Sequence, residues 1–321
     1  MSLLASWLAS PPPEAAVEIS PERVSVATLA TRGGSLVIQS HATSPLRPGL
    51  VVPSLTAHNI TDAPAVTAAL RAALDRVGGR PRRIALVIPD LAARISLIHF
   101  EQVPAQREDL DQLVRWHLRK AAPFPIEDAC VTYSEGARVA NGTGFITVLA
   151  RRDVIREYES VCEAVGADAG LVDVATLSVL NLFVAGARSA PTGDWLVVHM
   201  RPDYTSLVIM RNEHVIFFRS RPEGDDETLP DLVHQTAMYY QDRLAGQGFA
   251  RVLLGGTGRV VGAVDLARIH LEERLGLNVE PIDPTQAATL TDRIGTTPDL
   301  MDVLAPLVGM LLRTRQEAVV V

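Results

Sequence analysis

Lysine and cysteine are both scarce in this 321-residue chain, and each scarcity disfavours a class of function. Lys120 is the single lysine among 30 basic residues, so a phosphate loop of the G-x-x-x-x-G-K-[ST] type is absent and lysine-based covalent catalysis is disfavoured. The two cysteines, Cys130 and Cys162, form no C-x-x-C motif. Their number and spacing disfavour a thiolate metal site or a disulfide scaffold and favour a reducing compartment.

Long apolar runs and an excess of positive charge are also missing. No uncharged run reaches the roughly 18 residues needed to cross a bilayer, so no transmembrane segment is expected. The first ten residues are apolar but lack a positively charged start, so they do not predict a signal peptide. A net charge of −7 and a pI of about 5.6 disfavour nucleic acid as a partner. No serine-hydrolase, zinc-protease or kinase motif is present, so we assign no catalytic residue and do not expect an enzyme.

A repeat organises the rest of the chain, which is 47% hydrophobic and 21% charged, as in a globular protein. Residues 17 to 40 align with residues 198 to 220, and each copy reads as three β-segments joined by tight turns. The alignment places Pro21 on Pro202, Glu22 on Asp203 and Ser25 on Ser206. A helical pattern and a further strand follow in each copy, at residues 63 to 77 and 82 to 90, and at 229 to 244 and 251 to 256. We therefore predict an α/β fold of two lobes, built from a duplicated β-β-β-α-β unit of the kind found in actin and the sugar kinases.

Residues 90 to 170 predict an α+β subdomain inserted into lobe one. The segment reads as a strand, an amphipathic helix, a hairpin turning at Asn141-Gly142, and a second amphipathic helix. Pro306 predicts a kink or a fresh start in the last helix. The predicted division is an N-terminal apolar segment with a proline linker (1 to 14), lobe one (15 to 89 with about 171 to 190), the insert (90 to 170), lobe two (191 to 315) and a tail (316 to 321).

Several segments, in their order and spacing, resemble the PilM family. They are "ALVIPDLAARI" (85 to 95), "LVRWHLRKAAPFPIEDACVTY" (113 to 133), "FITVLARRDVIREY" (145 to 158), "GADAGLVDVATLSVLNLF" (166 to 183), "RVLLGGTG" (251 to 258) and "LEERLGLNVEPIDP" (271 to 284). PilM proteins are cytoplasmic, actin-like proteins of type IV pilus assembly, related to the division protein FtsA. The resemblance covers roughly residues 15 to 315.

This resemblance implies a fold, a partner and a location. The fold is actin-like, with nucleotide carried between the lobes and the insert replacing the second subdomain of lobe one. The partner is the N-terminal cytoplasmic tail of a PilN-like inner-membrane protein, with pilus motor ATPases as further expected partners. The location is cytoplasmic and peripheral to the inner membrane. A GspL-like cytoplasmic domain of type II secretion is the related alternative, and monomer, ring and filament all stay open.

The resemblance also implies where nucleotide would bind. The family needs a D-x-G triplet after each first strand, whereas this chain has Glu18-Ile19-Ser20 and His199-Met200-Arg201. His199 and Arg201 thus replace the expected Asp and Gly, and the prolines that follow both triplets lack a backbone N–H. The implied nucleotide contacts are Glu18, Ser20, Thr205, Gly255, Gly256 and Thr257, and no metal ligand is assigned.

Two classes of function stay open on these residues. The favoured hypothesis is a scaffold with degraded phosphate loops that binds no cofactor, or ATP only weakly, and does not hydrolyse it. The rival is a working nucleotide-binding ATPase or kinase of the actin superfamily. Arg201 is a good phosphate partner in principle, so metal-independent binding stays open. We interpret His199 as a hydrogen-bonded structural residue before a base or ligand. The Gly255-Gly256 pair fits either a nucleotide loop or a tight strand-to-helix turn.

Overall fold

The computed structural model describes residues 13 to 320, except 34, 140–141, 185–191, 225–227, 258–261, 292–294 and 296. Of residues 139 and 316 to 320 it describes the backbone alone. Residues 1 to 12 of the predicted N-terminal segment, Asn141 of the predicted hairpin turn and Gly258 after the Gly-Gly pair therefore lie outside the described residues. Within the described part, no helix has the length and apolar character that a membrane crossing requires.

The described part of the chain contains strands in runs of up to three, separated by helices. The strands are β1 (Ala15–Ile19), β2 (Arg23–Arg32), β3 (Ser35–Pro45), β4 (Arg83–Ile88), β5 (Ala93–Phe100), β6 (Ala129–Val139), β7 (Gly142–Arg151), β8 (Asp168–Val174), β9 (Asp194–Met200), β10 (Tyr204–Arg211), β11 (His214–Pro222), β12 (Arg251–Gly256), β13 (Val279–Pro281) and β14 (Thr289–Leu290). The helices are α1 (Ala63–Val77), α2 (Arg107–Leu118), α3 (Arg152–Glu163), α4 (Ala175–Val184), α5 (Leu229–Arg243), α6 (Ala263–Leu275) and α7 (Pro298–Val320).

Lobe one is built on a six-stranded sheet in the order β14-β3-β2-β1-β4-β8. β1, β2 and β3 form an antiparallel meander, and β4 joins β1 in parallel. α1 begins at the cap residue Asp62, whose side chain accepts a hydrogen bond from the Ala65 N–H at 3.0 Å. The helix buries Val66, Leu70 and Ala73 against the sheet, as its helical spacing predicts.

Lobe two repeats this plan on a five-stranded sheet in the order β11-β10-β9-β12-β13. The two copies share their strand register: Glu18 pairs with Ser25 in lobe one, and His199 pairs with Ser206 in lobe two. Their first turns also match, because the Ser20 N–H donates to the Arg23 carbonyl at 3.0 Å and the Arg201 N–H donates to the Tyr204 carbonyl at 2.8 Å. The predicted duplication is confirmed.

A small three-stranded sheet, in the order β5-β7-β6, forms a separate layer beside lobe one. α2 covers one face of it and buries Val114 and Leu118 in a core with Phe100 and Phe145. This is the α+β unit that the sequence predicts between the two copies.

The two lobes share one apolar core around α4 and α7. Val87 of lobe one and Val197 of lobe two are both fully buried in it. The two helices lie so close that a Cβ on Gly309 of α7 would come 1.9 Å from the carbonyl oxygen of Ser178 on α4. The two lobes are therefore joined by a close-packed apolar interior, which limits their movement relative to each other.

Three segments pack differently from the predicted division of the chain. α3, assigned to the insert, buries Val154 and Tyr158 in the core of lobe one. β14 and α7 were assigned to lobe two. β14 pairs with β3, and α7 packs against β1, β2 and β4. α7 also continues through Pro306 and into the predicted tail, up to Val320. An apolar helical face shows that a segment is buried but not which of two apolar surfaces receives it, so the pattern alone could not divide the chain here.

Candidate functional site

The matched turns of the two lobes meet at one place, which we call the junction (Glu18, Asp90, His199, Arg201 and Tyr204). The Glu18 carboxylate and the Arg201 guanidinium form an ion pair there at 2.8 Å, with only 2% and 3% of their side chains exposed. Burial by itself would lower the pKa of Arg201, but the Glu18 carboxylate and nearby acidic groups raise it overall. The guanidinium therefore stays charged inside the protein and is held by the other lobe.

Asp90 is a second buried acid at the junction, and the sequence analysis missed it. One carboxylate oxygen accepts from the Thr176 N–H at 2.9 Å, and the other accepts from the Ser206 hydroxyl at 2.6 Å. Its own N–H donates to the Tyr204 hydroxyl at 3.4 Å. Burial raises the pKa of Asp90, against the hydrogen bonds from Ser206 and Thr176. The available signal was an acidic residue directly after an apolar strand, in "LVIPD".

His199 is buried and neutral. Its Nδ1 lies 2.7 Å from the Thr176 hydroxyl. Burial, aided by the nearby Arg201 charge, lowers the pKa of His199 to about 3. A histidine with this pKa stays uncharged at neutral pH and cannot serve as a general acid, and its contact with Thr176 joins α4 of lobe one to β9 of lobe two.

Gly255 and Gly256 are explained by packing. A Cβ on Gly255 would lie 2.7 Å from the Ile282 Cβ, and one on Gly256 would lie 1.9 Å from the Met200 carbonyl oxygen. Gly256 also has φ of +106°, which L-amino acids rarely adopt. Chain packing thus requires glycine at both positions whether or not a ligand approaches them. The Gly256 N–H donates to Asp302 at 2.8 Å, and burial raises the pKa of that carboxyl to about 6.

The other predicted nucleotide contacts take part in hydrogen bonds and strand pairing within the chain. The Ser20 hydroxyl donates to the Arg23 carbonyl at 3.0 Å. Thr205 is buried in β10 opposite Met200, and the Thr257 N–H donates to the Met200 carbonyl at 3.0 Å. The structure therefore brings the predicted residues of both lobes together around one junction.

Some buried polar atoms of the junction and of residues near it have no hydrogen-bond partner within the described residues. They are Glu18 Oε2, Arg23 Nε and Nη2, His199 Nε2, Arg201 Nη1, Asp203 Oδ2 and Thr257 Oγ1. Asp203 is half-buried, and burial raises its pKa to about 6 against the effect of Arg201. Donors and acceptors are mixed in this set. In the part of the chain that the structure describes, no three His, Cys, Asp or Glu side chains are grouped to hold a metal ion.

A concave site lies between the small sheet and lobe one, and we call it the groove. It has a volume of about 260 Å³. It is lined by Ile88, Ala93, Cys130, Thr132, Tyr133, Ser134, Ile146, Val148, Ala150, Ile155, Glu159, Leu171, Val172, Asp173, Val174, Leu177 and Arg313. Asp173 and Arg313 form an ion pair within it. The sequence analysis assigned no residue to such a groove, because its walls come from eight separate helices and strands.

Two strand edges border the groove. β8 ends the six-stranded sheet, and β6 ends the small sheet. Four consecutive residues of β8, from Leu171 to Val174, line the groove. Because successive side chains of a strand point to opposite faces, a run of consecutive lining residues means that the strand presents its edge. Unpaired edge groups of this kind can pair with an extended segment of another chain.

The duplicated β-β-β-α-β lobes, joined at matched turns, place the protein in the actin-like class. Residues 16 to 243 match the family model described as type IV pilus assembly protein PilM, and the chain belongs to that family. A solved structure entitled "PilM-PilN type IV pilus biogenesis complex" matches with a TM-score of 0.77 and 19% identity, over 95% of this chain and 99% of that one. The predicted actin-like fold and the resemblance to PilM are confirmed.

Other solved structures match less well. The cytoplasmic domain of EpsL, an inner-membrane component of the type II secretion system of Vibrio cholerae, matches with a TM-score of 0.46 and 12% identity, over 96% of this chain and 94% of that one. A Bacteroides thetaiotaomicron protein with an actin-like ATPase fold matches with a TM-score of 0.49 and 12% identity, over 84% of this chain and 90% of that one. Curated protein sequences contain no match.

Proposed function

We propose that this protein is a cytoplasmic scaffold of type IV pilus assembly that binds the N-terminal tail of a PilN-like inner-membrane protein in the groove. The observation that carries the proposal is the groove itself, which is largely apolar and bordered by the edges of β6 and β8. Family membership and the solved PilM-PilN complex support the choice of partner. Binding such a tail would place the protein at the inner face of the membrane.

The groove suits an extended segment. A segment lying along β8 would exchange main-chain hydrogen bonds with the strand edge, while its side chains enter the apolar interior. Main-chain pairing supplies affinity, and the alternate side chains supply selectivity. A scaffold needs a binding surface and no catalytic group, and the mainly apolar lining of the groove provides such a surface.

We also propose that the junction does not hydrolyse ATP. Arg201 stands where the family's glycine would let the backbone approach a phosphate, and its guanidinium is engaged by Glu18. Pro21 and Pro202 provide no N–H donors at the two turns. The Gly255-Gly256 pair is required by packing alone, so its presence does not argue for nucleotide.

Binding of a synthetic PilN-like tail, measured by calorimetry, tests the scaffold proposal. Ser134→Trp fills the groove from an exposed lining position of β6 and should abolish binding. Glu135→Trp is the matched control, because the neighbouring side chain does not line the groove. A tail that binds Ser134→Trp as tightly as the wild type would place its site elsewhere. Absence of binding to the folded wild-type protein would remove the proposal.

The reactivity of Cys130 provides an independent test of whether the tail occupies the groove. Its half-buried thiol lines the groove, whereas Cys162 is fully buried. A bound tail should therefore slow the reaction of Cys130 with a maleimide. An unchanged rate at saturating tail would contradict binding in the groove.

A further inference from the structure

We infer that the segment bound in the groove carries a lysine or arginine beside its apolar side chains, and that Glu159 is the partner of that basic residue. This inference rests on the proposed function, because it concerns the same groove. It adds a requirement on the occupant that neither the fold nor family membership supplies.

Glu159 enters the groove from α3. Ile155 precedes it by one helical turn, so both side chains lie on the face of α3 that lines the groove. The rest of the groove lining is mainly apolar and includes Ile146, Val148, Leu171, Val172 and Leu177. A carboxylate at this position meets whatever fills the groove.

The charge of Glu159 is not compensated within the groove. Asp173 and Arg313, the other charged lining residues, pair with each other. Among the described residues, no hydrogen bond or ion pair reaches the Glu159 carboxylate. Burial raises the pKa of Glu159, Glu163 and Asp168 raise it further, and Arg156 opposes them. Among the described lining residues of the groove, Glu159 is therefore the charged side chain without a partner, and Glu163 and Asp168 add to the negative field around it.

The need for a basic residue in the bound segment follows from the desolvation of the Glu159 carboxylate. A segment that fills the groove removes water from Glu159, and burying an unpaired carboxylate is costly. A cationic side chain arriving with the segment offsets that cost through a charge-assisted hydrogen bond. A purely apolar segment leaves the carboxylate unpaired, and an acidic segment adds repulsion. Glu159 thus selects among segments that would fit equally well by shape.

Two peptides and three proteins test the inference by calorimetry. The peptides are the synthetic PilN-like tail and the same tail with its lysines and arginines replaced by glutamine. The proteins are the wild type, Glu159→Gln, and Glu163→Gln as the matched control, because Glu163 is an exposed acid one turn further along α3 that does not line the groove. We expect Glu159→Gln to weaken binding of the native tail by about tenfold or more. Glu163→Gln should change it by less than about twofold, as expected for an exposed charge.

The outcomes separate this inference from the docking proposal. If the native tail binds Glu159→Gln as tightly as the wild type, or if both peptides bind the wild type equally, the basic-residue inference fails and docking in the groove stands. A tail without lysine or arginine that binds fully in the groove has the same meaning. If neither peptide binds any of the folded proteins, both proposals fail. As a positive check, Glu159→Lys should prefer a tail in which glutamate replaces the basic residue.

Discussion

Glu18, near the end of β1 in lobe one, and Arg201, directly after β9 in lobe two, form a buried ion pair at 2.8 Å between the two repeated lobes. The charge of the Arg201 guanidinium is thus met by a carboxylate of the other lobe. Each side chain needs the other, because either one alone would leave a buried, unpaired charge.

Breaking this pair should destabilise the protein. We expect Glu18→Gln or Arg201→Met to lower the free energy of unfolding by about 3 to 5 kcal/mol, because each leaves the other charge buried and unpaired. The double variant should be more stable than the sum of the single effects predicts. Urea denaturation measures all three, with Glu127→Gln, which breaks the exposed pair with Arg119, as a control that should change nothing measurable. Additive effects of the two single changes would contradict the pairing.

Nucleotide should not stabilise the wild-type protein through a magnesium-dependent site. We expect the thermal midpoint to be the same with and without Mg-ATP, because Arg201 and Glu18 engage each other at the turns. A ligand that binds only the folded state raises the midpoint by mass action, so thermal denaturation is a direct test. A large increase that requires magnesium would favour the working-ATPase hypothesis.

The Gly255-Gly256 pair should be needed without any ligand. Gly256→Ala should lower the free energy of unfolding by about 3 kcal/mol, because the new Cβ meets both a carbonyl oxygen and an unfavourable φ. Gly248→Ala is the matched control, since Gly248 has a similar φ of +112° and nothing within 4 Å of the added Cβ. Equal effects of the two changes in chemical denaturation would mean that the packing contact has no cost.

Asp302 should make stability fall as pH rises through the acid range. Burial raises its pKa from an ordinary 3.8 to about 6, so the folded state favours the protonated carboxyl. This contribution is complete below about pH 4 and is lost as pH rises through about 6. Asp302→Asn keeps an acceptor for the Gly256 N–H and should raise stability relative to the wild type above pH 6 but not at pH 4. A constant difference between the two proteins over this range would contradict the shifted pKa.

One of the two cysteines should react in the native protein. Cys130 is half-buried in the groove, whereas Cys162 is fully buried and burial raises its pKa to about 12. Mass spectrometry after brief maleimide treatment should find a single adduct, which Cys130→Ser removes. Two adducts before unfolding would show that the core around α3 opens.

The local pattern of apolar and turn residues was sufficient to predict the helices, the strands and the internal repeat. Helical spacing in residues 63 to 77 predicted α1 with its observed bounds, because the buried face of a helix on a sheet recurs every 3.6 residues. The aligned turns after Glu18 and His199 predicted two matched bends, and the structure shows the same internal hydrogen bond in both. That His199 and Arg201 replace the family's Asp and Gly stays a prediction from the resemblance.

Contacts between distant segments were decided by the tertiary structure. Asp90 meets Ser206 across 116 positions of the chain, and no periodic pattern records such a meeting. The groove exists because the edges of β6 and β8 are left beside each other when two sheets pack. The sequence by itself determined the two repeated lobes of an actin-like fold and the matched turns that follow Glu18 and His199. Only the folded chain decided that Glu18 would pair with Arg201 and that Glu159 would line a groove, because burial and pairing arise from packing between elements.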